Sequence, residues 1–152
     1  MNAKSLSLAM IIVAGLAAFG SSGVSAQGIQ HFAVMNGGNE VSAAGQAAAG
    51  DPDGSGTASV IVRGAGQVCF SILVERIGTP VAAHIHEAVA GANGPVRVAL
   101  VAPAAGNPGT SAGCVSGIAA GLFTRLRNTP NLFYVNVHTA AFPDGAVRGQ
   151  LF

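Results

Sequence analysis

TASVIVR (residues 57–63), GAG (64–66) and VCFSILV (68–74) decide the fold class. Two short runs rich in Val, Ile, Leu and Phe read with period two, which puts alternate side chains on opposite faces of an extended chain. The connection between them is too short for a crossover, so the pair reads as an antiparallel hairpin. The same signature recurs on either side, at 29–36, 81–87, 95–101, 133–139 and 146–152, each run bounded by Gly, Pro, Asn or Asp. Turn clusters separate the runs: Gly50-Asp51-Pro52-Asp53-Gly54-Ser55-Gly56, Asn107-Pro108-Gly109 and Pro143-Asp144-Gly145. Seven short strands predict an all-β sandwich or barrel. Residues 116–127 break the pattern. Ile118, Leu122 and Leu126 recur every fourth residue, Ser116 is a candidate N-cap, Arg125 and Arg127 suit a helix C-terminus, and Pro130 stops the run. One short helix plugging an end of the strands is expected there.

Composition narrows the function. Half of the 152 residues are hydrophobic and 9% are charged, with 7 basic against 6 acidic side chains. No excess of positive charge exists to grip nucleic acid. Part of the apolar content lies at the start, where Lys4 precedes the uncharged run Leu6–Gly20 and the small-residue stretch ending Val24-Ser25-Ala26. That is the layout of a secretory signal peptide over residues 1–26, cleaved before Gln27, and it leaves a domain over 27–152. The apolar run is shorter than the ~20 residues of a spanning helix, so no membrane attachment is expected after cleavage. The expected destination is the periplasm or the medium. Cys69 and Cys114, an even count in an exported chain, are expected to form a disulfide.

Strand parity gives the histidines their interest. In 81–87, Val81, Ala83 and Ile85 form an apolar face, and His84 and His86 share the other. In 133–139, Phe133, Val135 and Val137 form the apolar face, and Tyr134, Asn136 and His138 the polar one. Both core faces are complete without a histidine. The three are either ordinary polar residues on a solvated surface or a chelating group in which His138 completes the His84-x-His86 pair. Alternate strand residues lie about 6.5–7 Å apart, near enough to converge on one ion at ~2 Å per bond. Imidazole suits copper or zinc, whereas calcium would want carboxylate clusters that this chain lacks. His31 could add a fourth ligand. Asn136 could orient a histidine or stand exposed on the sheet, and Glu87 reads as a solvated strand-end group.

His84-Ile85-His86 with Gly91-Ala92-Asn93-Gly94-Pro95, then Tyr134-Val135-Asn136-Val137-His138-Thr139 with Phe142-Pro143-Asp144-Gly145 and Arg148-Gly149-Gln150-Leu151, resemble the signatures of the chordin-type (CHRD) domain. Gly37-Gly38-Asn39-Glu40 is similar to its opening motif, with Ser42 and Ala43 where the family usually has prolines. The resemblance implies an immunoglobulin-like or superoxide-dismutase-like β-sandwich. The His-x-His strand with a distant His also resembles the copper site of secreted superoxide dismutases. That likeness would make Arg148 an anion guide; otherwise it is an ion-pair or backbone-carbonyl brace at the closing hairpin. Nothing follows the His-x-His pair that resembles a bridging His or an Asp cluster for a second metal.

The sequence thus predicts an exported CHRD-type binding module with a surface histidine cluster for copper or zinc and an unknown protein partner. A copper-only dismutase-like enzyme and a purely structural adhesion domain are the alternatives.

Overall fold

The computed structural model describes residues 28–64 and 66–152, so the signal-peptide expectation lies outside the described residues. Eight strands form one antiparallel sheet: β1 (Ile29–Asn36), β2 (Ser55–Arg63), β3 (Gln67–Glu75), β4 (Pro80–Glu87), β5 (Val96–Leu100), β6 (Gly109–Val115), β7 (Phe133–Thr139) and β8 (Val147–Gln150). Their order is β5-β4-β7-β8-β1-β2-β3-β6. The sheet curls until its two edge strands, β5 and β6, touch. It is therefore nearly a barrel, and the all-β expectation holds.

The β2–β3 hairpin pairs as its alternation demands, Val60 opposite Phe70 and Val62 opposite Val68. These four side chains point inward and meet Ile85, Val135 and Val137 from the other half of the sheet in one apolar core. Burial of that alternating set, at roughly 25 cal/mol per Å2 of apolar surface, is what fixes the register, because a one-residue slip would turn the set outward.

Three local expectations are corrected. Residues 109–115 form a strand, β6, which completes eight rather than seven. Small residues dominate it, and its place is set by a seven-residue ladder along β3 and by the Cys69–Cys114 disulfide, whose two residues face each other across that ladder. The helix, α1 (Ala120–Asn128), consequently starts four residues late. Ser116 does not cap it; its hydroxyl accepts instead from Gln67 Nε2 at 3.1 Å, and Ala119 holds the cap position without a side-chain bond. The helix still buries Leu126 fully and lays Leu122 and Phe123 against the core. Val81 leaves the apolar face altogether. A register shift between Pro80 and Ala82 turns it outward, where it is 62% exposed.

The two outer surfaces differ. Over β1, β2 and β3 the outward side chains Phe32, Val34 and Leu73 remain exposed. Over β4, β7 and β8 the chain folds back on itself. Asp51 N–H donates to Ala146 O (2.8 Å) from the 37–54 segment, and Asn93 Nδ2, in the 88–95 loop, donates to Ser42 O (2.7 Å). The polar faces of β4 and β7 are thus roofed.

Candidate metal centre

The register brings the histidines together. His84 lies opposite Asn136, and His138 lies opposite Ala82, so His84 and His138 are diagonal neighbours on the outer face of adjacent strands. Potential ligand nitrogens of His84, His86 and His138 all lie within 4.8 Å of one another. His84 Nδ1 and His138 Nε2 are 3.1 Å apart. Two nitrogens bound to one tetrahedral ion at ~2.0–2.1 Å lie ~3.3 Å apart, so the observed spacing suits a shared ion with little rearrangement.

Two of the three rings are oriented by backbone carbonyls. His86 Nδ1 donates to Gly94 O and His138 Nδ1 donates to Pro143 O, each at 2.9 Å. A donating Nδ1–H leaves the lone pair on Nε2, so both rings present Nε2 as ligand atoms. His86 Nε2 is buried and has no hydrogen-bond partner. A buried lone pair without a donor is costly in a finished core and apt for a cation. The residues present therefore fit a metal ion.

The site is a half-buried recess rather than a surface cluster. His86 is 9% exposed, and His84 and His138 are partly covered. Burial, then the neighbouring His138 and His86, push the His84 pKa down to about 4. Burial lowers those of His86 and His138 as well, against the opposing pull of the Gly94 and Pro143 carbonyls. Burial thus favours the neutral form of all three rings, the form that binds metal.

Behind the histidines lies a polar layer that parity alone does not reveal. Asn136 is 1% exposed, not a solvated sheet residue; its amide neighbours both the His86 ring and the Glu40 carboxyl. Arg148 is 1% exposed as well. Its Nη2 donates to Ala92 O at 2.7 Å and to Val89 O at 3.3 Å, and Nη1 to Asn93 Oδ1 at 3.4 Å. Its guanidinium carbon sits 3.4 Å from the centre of the Tyr134 ring, and Nη1 lies 3.8 Å from Glu40 Oε1. These are the hydrogen bonds of a carbonyl brace, and they hold the guanidinium out of solvent.

Glu40 and Tyr134 are the participants that sequence reasoning passed over. Glu40 is 1% exposed; burial raises its pKa, opposed by the Val41 N–H and by Arg148. The opening motif held the only signal for it. The Tyr134 ring stacks on His86 with centroids 4.8 Å apart and planes at 6°. Its alternation with Asn136 and His138 on β7 was the available sign.

Two other expected groups lie apart. His31 is buried on the core-facing side of β1, beside the backbone of Leu126 and Arg127, and is no fourth ligand. Glu87 is not simply solvated, since Arg125 and Arg97 both hold it, at 2.8 and 2.7 Å. The Arg125 hydrogen bond is the largest cause of its lowered pKa.

A nearly closed antiparallel sheet with a roofed histidine recess defines a small all-β domain of the binding-module kind. The chain belongs to the CHRD domain family, whose model matches residues 31–151. No curated protein and no solved structure matches it.

Proposed function

We propose that this chain is an exported CHRD-domain binding module whose His84–His86–His138 triad holds a zinc or copper ion. The carrying observation is the convergence of three imidazoles, with the Nε2 atoms of His86 and His138 left as ligands by carbonyl-bound Nδ1–H groups. With His138 Nδ1–H committed to Pro143 O, His84 Nδ1 would be the donor to His138 Nε2, and metal held by both atoms would require the His84 proton to move to its Nε2. Export fits a chain with a disulfide, since such bonds persist in oxidising compartments. No described helix is long and apolar enough to cross a membrane. The committed hydrogen bonds and burial of Arg148 favour binding over a dismutase-like reaction, because they leave that residue unsuited to guide an anion from solvent.

Equilibrium dialysis of the protein against zinc and copper, read by elemental analysis, is the test. One equivalent retained by wild type and lost in His84→Ala/His86→Ala supports the reading. Equal, negligible retention by both refutes it.

A further inference from the structure

We propose that Arg148 is a positioning residue for the histidine recess, setting the tautomer and orientation of His86 through the 88–94 loop and the Tyr134 ring. The affinity consequence rests on the metal-binding reading, whereas the tautomer consequence stands without it.

His86 is held on two sides, and Arg148 reaches both. On one side its Nδ1–H meets the Gly94 carbonyl at 2.9 Å. Gly94 ends a loop whose preceding residues hang on the guanidinium, through Val89 O, Ala92 O and Asn93 Oδ1. A side chain at Gly94 would collide with the Glu87 backbone, so the carbonyl approaches His86 only because the loop packs this tightly. On the other side, the Tyr134 ring lies parallel to His86 while Arg148 stacks within 3.4 Å of its centre. The Tyr134 hydroxyl also accepts from the Gly94 N–H at 3.4 Å, tying the two supports together. A planar fork that serves several carbonyls and an aromatic face has no equivalent in a lysine ammonium.

A merely structural brace would make the loop firmer without selecting an imidazole tautomer. Gln150 supplies that comparison: it lies opposite Tyr134 on β8 and its Nε2 ties the same loop at Ala88 O (2.8 Å), yet it makes no hydrogen bond to Gly94 or to the Tyr134 hydroxyl.

The experiment compares wild type, Arg148→Met, Arg148→Lys and Gln150→Ala by imidazole 15N shifts in the metal-free protein at pH 8 and by zinc titration. Wild type and Gln150→Ala should show His86 protonated on Nδ1. Arg148→Met should lose that preference and bind zinc 10–100-fold more weakly, the usual cost of removing a partner that orients a ligand. Arg148→Lys should fall between, and it carries both measurements if the Met variant does not fold. An unchanged His86 tautomer in the Arg148 variants overturns the proposal, as does an equal affinity loss in Gln150→Ala. If wild type binds no zinc, the metal reading fails on its own and the 15N shifts still decide the role of Arg148.

Discussion

Replacing Cys69 and Cys114 together by Ser removes the bond that ties β3 to the edge strand β6 across a sequence separation of 45 residues. The seven-residue ladder that pairs these strands does not need the bond once folded, so the main effect falls on the unfolded chain. Loop-closure entropy for that separation corresponds to about 4 kcal/mol at 25 °C. A domain of this size has a net stability on the order of 5–15 kcal/mol, so the loss is a large fraction of it. With a urea m-value of roughly 2 kcal/mol/M, the unfolding midpoint should drop by roughly 2 M. Far-UV circular dichroism and the fluorescence of Tyr134, the only tyrosine in a chain without tryptophan, should report the same transition. The histidine recess lies on β4 and β7, neither of which pairs with β3 or β6, so zinc binding by the variant should persist. A midpoint shift under 0.5 M (about 1 kcal/mol) at unchanged m would refute the chain-entropy reasoning.

Other perturbations address the recess itself. His84 has a folded pKa depressed to about 4 from 6.5, so its contribution to stability is full above pH 6.5 and is lost as the pH falls toward 4. The metal-free protein should weaken across that window, and His84→Asn should flatten the profile in denaturant titrations at stepped pH; identical slopes would remove His84 as a cause. Zinc at about 100 times its dissociation constant should stabilise the fold by ~2.7 kcal/mol, a rise in Tm on the order of 10 °C, and His138→Ala should abolish the rise in a thermal melt. Gly145 has φ +142° and its Cα faces the Glu40 carboxyl, where a Cβ would overlap Oε2. Gly145→Ala should cost about 1–3 kcal/mol by chemical denaturation, and a neutral substitution there would show that Glu40 is free to move.

The elements that alternation specifies were legible because their side chains state their own faces. Residues 57–63 and 68–74 carry enough branched and aromatic residues to announce a hairpin, and the structure pairs them accordingly. Residues 109–115 do not. Gly-Thr-Ser-Ala-Gly has no preference strong enough to signal a strand, and only pairing with β3 makes it one. The late start of α1 follows from the same cause, since the chain must leave β6 and turn at Gly117, φ +78°, before it can coil.

For the recess, period two placed His84, His86, Asn136 and His138 on the same side of their strands, and the register confirms the juxtaposition. Period two is silent on what covers that side. Asn136 and Arg148 looked like surface candidates because a strand pattern contains no information about loops returning from 37–54 and 88–95.

The amino-acid order by itself determined the antiparallel all-β class, the pairing of the two cysteines and the side of the sheet on which the histidines stand. These depend on neighbours one or two residues apart, or on there being two cysteines and no others. Only the tertiary structure decided that the histidine side is roofed, that Glu40 and Arg148 meet beneath the roof, and which nitrogen of His86 faces the recess. Those outcomes depend on contacts between segments up to 109 residues apart, as in the hydrogen bond from Asn39 to Arg148 O, and burial there turns modest polar preferences into fixed geometry.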